Sequence, residues 1–279
     1  VLWVATGGGV AGAVLGGSQW RTVWLMGANG TGVFGLLPES DGHGGQRLWV
    51  AAAADGLGLY ERGLWRYFSK ANGTLPGNDA RMIKRALDDN GEPALWLGLE
   101  GGQLLRVRDG PVFEPVSTPW KNSPAEAVLD VLGRKIDGHV GRWLATRDPG
   151  IYRQRDGIWT AYQAKGITAP WSVVQLIQQI DAQGRSWLWA TSKQGLARFD
   201  GSAWDATPLP LPDRDLYDIN LWPDAQGHAI LWIGSRNRGI IRVDATAPLP
   251  PVLFPDRFPP PPVPPAYYAP AQFPLPPPT

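Results

Sequence analysis

The sequence contains no cysteine. That excludes a disulfide framework, a thiolate metal site and a cysteine nucleophile, and it leaves the redox compartment open. Charge of either sign is also scarce. Lys and Arg number 26, Asp and Glu 25, and the net charge is +1, so no overall field draws the chain to nucleic acid or to an anionic membrane. No apolar run reaches the roughly 18 residues that a membrane helix requires. No Ser-His-Asp arrangement, His-Glu-x-x-His helix or phosphate-binding loop is found, and no cofactor is expected. The three histidines, His43, His139 and His228, fall in or beside turns of different units, so a shared metal site is not expected. The sequence has no initiating Met or signal peptide and begins inside an apparent strand. It is read as a piece of a longer protein.

What the sequence does have is 35 glycines and 15 tryptophans, and the tryptophans are periodic. A Leu-Trp-aliphatic word recurs as "LWVAT", "LWVAA", "LWLGL", "RWLAT", "LWATS" and "LWIGS". Its anchors Trp3, Trp49, Trp96, Trp143, Trp189 and Trp232 are spaced by 46, 47, 47, 46 and 43 residues. A second aromatic follows each of the first five, namely Trp20, Trp65, Phe113, Trp159 and Trp204, at offsets of 17, 16, 17, 16 and 15. Two registers held over five units define a repeat, which takes precedence over any local reading.

Each unit parses into four short strands. The first is apolar-rich, as in "SVVQLIQQI", and ends at an Asp/Gly turn such as "DAQG" or "DDNG". The Leu-Trp word is the second strand. The third has apolar residues at period two, as in "GLARFDG", and the fourth carries the second aromatic. "NDARMIKRALDDN" resembles a helix in isolation, but its place in the repeat makes it a first strand. Four antiparallel strands in about 46 residues is the blade unit of a β-propeller. The predicted fold class is therefore all-β, a propeller with about six blades visible over residues 1–244. A blade is covered on both faces by its neighbours, so the repeated aromatics are expected in the core. Trp187 and Trp222, which lie in strands outside the two registers, are expected there too.

The stretch "DAQGRSWLWATSKQGLARFDGSAW" (181–204), with "DAQGHAILWIGSRNRGIIRVD" (224–244) close behind, resembles the two-component regulator propeller family. The resemblance covers roughly residues 1–244 and is loosest in the first two units. It implies a non-enzymatic sensor segment on the periplasmic or extracellular side of a bacterial inner-membrane signalling protein. The output domain would be a histidine kinase, a diguanylate cyclase or a DNA-binding regulator. Propellers of this family often have seven blades, so six anchors imply truncation from seven or more. A receptor homodimer is the expected assembly, and the membrane is reached only through segments outside these 279 residues. Two alternatives stay open: a propeller enzyme such as a polysaccharide or lactone lyase, and a carbohydrate-binding propeller without signalling.

Loops between second and third strands share one face with the blade-to-blade connections, and that face is the expected ligand site. Glu100, Arg147, Asp148, Lys193, Gln194, Arg236, Asn237 and Arg238 lie in those loops. The later units supply most of the cations, so a basic half-rim suited to a small molecule or oligosaccharide bearing negative charge is expected. Trp120 and Trp171, in connections between blades, are expected either to stack on a ligand at the same mouth or to pack the connection onto the next blade. Residues 245–279 hold 15 of the 28 prolines and are expected to form an extended tail or linker.

Overall fold

A computed structural model describes residues 2–6, 9–13, 20–24, 32–108, 111–120, 127–136, 139–147, 150–167, 170–181, 183–206, 211–224 and 228–245. The proline-rich stretch from 246 onward lies outside the described residues. Among them every regular element is a β-strand, and the strands form six sheets.

Sheet 1 comprises Leu2–Thr6, Gly9–Ala13 and Trp20–Trp24. Sheet 2 comprises Val33–Ser40, Gln46–Ala52, Gly56–Glu61 and Leu64–Phe68. Sheet 3 comprises Ala80–Leu87, Pro93–Leu99, Leu104–Arg108 and Val112–Val116. Sheet 4 comprises Val128–Ile136, His139–Thr146, Ile151–Arg155 and Ile158–Tyr162. Sheet 5 comprises Val173–Ile180, Ser186–Ser192, Gly195–Phe199 and Trp204–Asp205. The short strand Ala164–Lys165, from the connection between sheets 4 and 5, adds to its outer edge in parallel. Sheet 6 comprises Leu216–Pro223, Ala229–Ser235 and Gly239–Asp244. Within each sheet the successive strands pair antiparallel. The first strands of sheets 2 to 6 lie side by side in chain order, which is the arrangement of a propeller around its axis.

The two aromatic registers divide the packing between them. Each Leu-Trp anchor before sheet 6 faces the following sheet. Trp49 packs among Ile83, Leu95 and Leu97 of sheet 3, Trp96 on Val128, Val131 and Leu144, and Trp189 on Leu216, Ile219 and Leu231. Trp65, Phe113, Trp159 and Trp204 face the preceding sheet: Phe113 joins the cluster around Trp49, and Trp204 meets Trp143 edge-on at 5.9 Å. A flat ring on both faces lets each interface interdigitate to interior density.

Trp232, Trp222 and Trp187, all expected in the core, belong to none of the hydrophobic clusters. Trp232 is 41% exposed because no described sheet follows sheet 6 to cover its face. Trp222, 66% exposed, is not in the core. It pairs with Ile230 in the register that sets Asn220 opposite Trp232, and strand alternation therefore puts it on that same uncovered face. Trp187 is half-buried, donates Nε1–H to Asp181 Oδ2 at 3.0 Å and carries the Arg198 guanidinium over its ring at 4.4 Å.

The Asp/Gly turns are built alike. Asp41 Oδ1 accepts the amides of His43 and Gly45, Asp88 Oδ1 those of Asn90 and Glu92, and Asp181 Oδ1 those of Gln183 and Arg185. The second oxygen of Asp88 meets Arg106 at 2.7 Å and that of Asp224 meets Arg242 at 3.3 Å, both arginines on third strands. The Asp of the turn and the Arg of "LLRVR" or "IIRVD" thus fasten one end of the sheet. The Trp187 hydrogen bond, with the amides and the Arg185 guanidinium, holds the Asp181 carboxyl at about 2.

Candidate functional site at the loop face

The first strand of sheets 2 to 6 opens with a β-bulge at the same place. The register shifts between Val33 and Gly35, Ala80 and Met82, Val128 and Asp130, Val173 and Gln175, and Leu216 and Asp218. The extra residues are Phe34, Arg81, Leu129, Val174 and Tyr217. The residue before each is buried and apolar, whereas Phe34 is 52% and Tyr217 40% exposed and the other three are half-buried. A bulge re-aims one side chain without disturbing the rest of the strand, and bulges concentrate beside functional sites. Here five bulges set five side chains at one end of the innermost strands, the end where the loops between second and third strands lie.

Around this inner set runs an outer one. Glu100, Arg147, Lys193 and Arg236 each directly follow a second strand or its last residue, so they are equivalent positions of four consecutive units. The backbones of Glu100, Lys193 and Arg236 are tied to the residue that precedes the first strand of the same sheet. The Glu100 amide donates to Asp79 O at 2.8 Å, that of Lys193 to Ser172 O at 3.2 Å and that of Arg236 to Asp215 O at 2.9 Å.

The side chains are paired across this rim. Glu100 accepts both Nη1–H and Nη2–H of Arg147, at 2.5 and 3.0 Å, and its Oε2 lies 2.8 Å from Arg81 Nε. The Arg81 guanidinium stands over the Phe34 ring at 4.5 Å. Arg236 Nη1 reaches Asp215 Oδ2 and the Tyr217 hydroxyl, each at 3.3 Å. The expected basic half-rim is therefore partly neutralised, since Arg147 and Arg236 both face carboxylates. The carboxylates that neutralise them come from a neighbouring sheet or from the connection before it, which the loop sequences alone do not reveal. Arg238 is exposed and its amide donates to Ser235 Oγ at 3.1 Å, while the Asn237 amide donates to Asp213 Oδ2 at 2.8 Å. Asp148 lies outside the described residues.

Gln194 is a strut. Its Oε1 accepts the Ser172 amide and its Nε2 donates to Pro170 O, which fastens the connection leading into sheet 5. Trp120 is half-buried, donates Nε1–H to Gly102 O at 3.0 Å and meets Tyr152 edge-on at 5.3 Å. Trp171 is fully buried against Trp204, at 5.9 Å. A Cβ on Gly150, whose φ is +114°, would come within 2.6 Å of its ring. The packing alternative therefore describes Trp171, and its ring has no face open to a ligand.

Sequence reasoning placed Glu100 and Arg147 at this mouth but missed Phe34, Arg81 and Tyr217. The available signal was faint: one residue of variable type after a buried aliphatic at the start of each first strand.

No protein-family model matches the chain, and no curated protein matches it. Two crystal structures of the extracellular domain of a B. thetaiotaomicron protein, described in one as a one component system and in the other as a hybrid two component system, are similar to it. Identity is 17% and 16%, the TM-score is 0.54 in both, and the match covers 86% of this chain. The chain spans 36% of the length of either. The likeness is one of fold, and the propeller that the repeat predicts is thus the fold of an extracellular domain from a signalling system of the kind the sequence resembles.

Proposed function

We propose that this chain is the ligand-sensing β-propeller of a bacterial transmembrane signalling protein, working on the extracytoplasmic side and taking a small molecule or oligosaccharide at the loop-face mouth. One observation carries the reading. The repeat places a bulge at the same end of five consecutive innermost strands, and the residues so presented include the exposed rings of Phe34 and Tyr217 and the guanidinium of Arg81. Core positions elsewhere in the repeat hold to type, whereas these five differ from one unit to the next, which gives the mouth an asymmetric set of apolar, aromatic and cationic groups. The sensory resemblance and the fold shared with an extracellular signalling domain support the extracytoplasmic role. A molecule bridging residues from several sheets would change how those sheets pack, which is a means of reaching an output domain.

Thermal-shift screening against acidic and neutral oligosaccharides and small polar molecules tests this reading. A stabilising ligand is expected, and Phe34→Ala combined with Tyr217→Ala should abolish most of its shift. A shift that survives both substitutions, and Arg236→Ala with Arg238→Ala as well, would locate binding away from the mouth.

A further inference from the structure

The Glu100 carboxylate is gripped by two guanidiniums that come from different sheets. Arg81 is the bulge residue of sheet 3, and Arg147 follows the second strand of sheet 4. Arg147 is exposed and engages Glu100 with two parallel hydrogen bonds, the geometry by which Arg recognises a carboxylate of any origin. The Glu100 backbone is fixed independently of that grip: its amide donates to Asp79 O and it bridges to Ala127. Its side chain can therefore leave by rotation alone. The space beside it is open, since a Cβ on the adjoining Gly101 would meet nothing within 4 Å. Exchange of one carboxylate for another leaves both guanidiniums paired, so it exposes no uncompensated charge. Asp79, whose Oδ1 lies 4.0 Å from Arg81 Nη2, is held in place by the Ala54 amide at 2.8 Å. Beside the triad, the Phe34 ring lies under Arg81 and is half open to solvent.

We infer that Glu100 is a built-in stand-in for a ligand carboxylate, and that the mouth takes a small molecule in which a carboxylate is joined to a flat apolar part. The ligand carboxylate displaces Glu100 from Arg81 and Arg147, and its apolar part lies against Phe34. The inference rests on the reading of the mouth as the sensing site, and it narrows that site to sheets 2, 3 and 4. It also gives Glu100 a definite role, that of weakening the site so that only a ligand present in quantity fills it.

Calorimetric titration of the full chain with benzoate, with benzamide as the uncharged control, tests the exchange. The unaltered protein should bind benzoate weakly and benzamide not at all. Glu100→Gln should bind benzoate about tenfold more tightly, because the competing carboxylate is gone while the fold is kept. Arg147→Met should abolish binding, Arg147→Lys should retain part of it, and Phe34→Ala should weaken it. Unchanged denaturation midpoints establish that these variants fold. Equal or weaker benzoate affinity in Glu100→Gln, or benzamide binding as well as benzoate, overturns the exchange. Either result leaves the wider sensing proposal standing, because that proposal fails only if the thermal-shift screen finds no ligand acting through the mouth.

Discussion

At the scale of single residues, three of the anchor tryptophans are oriented by a hydrogen bond to the position ten residues earlier. Trp49 Nε1–H donates to Glu39 Oε2 at 3.1 Å, Trp189 Nε1–H to Gln179 Oε1 at 2.8 Å and Trp96 Nε1–H to Ala86 O at 3.1 Å. The matching position for Trp143 is Gly133, which offers no side chain, and the Trp143 indole N–H is buried with no partner among the described residues. Packing explains the exchange. A Cβ on Gly133 would fall 2.0 Å from Leu87 O, so the first strands of sheets 3 and 4 come together there too closely for any side chain. The orphaned indole costs about 1–3 kcal/mol, and the close contact between sheets offsets it. Gly133→Ala should therefore lower stability by about 2 kcal/mol or more, read as a fall in the urea denaturation midpoint. A midpoint equal to that of the unaltered protein would show that the strands separate at little cost.

At the scale of elements, the first strand of each sheet is an edge strand whose inward amides have no ladder partner. The residue just after the bulge supplies one from the preceding sheet. Asp130 Oδ2 accepts the Leu176 amide at 2.8 Å, and Gln175 Oε1 accepts the Ile219 amide at 2.7 Å. Lys84 extends the series by donating to both oxygens of Asp130, at 2.8 and 2.7 Å, and to Leu176 O at 3.2 Å. Polar contacts thus run from sheet 3 to sheet 6 directly beneath the bulge residues. Burial pushes the Asp130 carboxyl above the usual carboxylate range against the pull of Lys84 and two amides. A buried charge left unpaired is costly, whereas a neutral replacement of the pair that keeps its hydrogen bonds need not be. Lys84→Met alone should cost about 3–5 kcal/mol, and Lys84→Met with Asp130→Asn, which removes the charge but keeps an oxygen for the Leu176 amide, should recover most of that loss. Guanidinium denaturation of the single and double variants measures the difference. Equal losses in the two would mean that the carboxylate is satisfied without Lys84.

At the scale of the whole molecule, stability resides in the interfaces between sheets, each closed by the anchor of one sheet against the apolar face of the next. The cost of losing an anchor should therefore depend on whether a sheet follows. Trp189→Ala, at a covered interface, should cost about 3–5 kcal/mol. Trp232→Ala, on the uncovered face of sheet 6, should cost less than half as much, although both belong to the same Leu-Trp word. Hydrogen exchange resolved by sheet can tell the two apart. Similar loss of protection from both substitutions would refute an interface-by-interface account.

The repeat by itself determined the architecture, because Leu-Trp spacing, Asp/Gly turns and period-two apolar residues are local features read directly along the chain. It also fixed which residues the loops present, and Glu100, Arg147, Lys193 and Arg236 do occupy equivalent places at one face. The tertiary structure alone decided which of them meet. Glu100 and Arg147 are 47 residues apart and Arg81 joins them from a strand bulge, an irregularity that alternation patterns conceal because only one residue is displaced. The exposure of Trp222 and the burial of Trp171 likewise depended on which sheet lies opposite, and an aromatic ring in the sequence carries no record of what covers it.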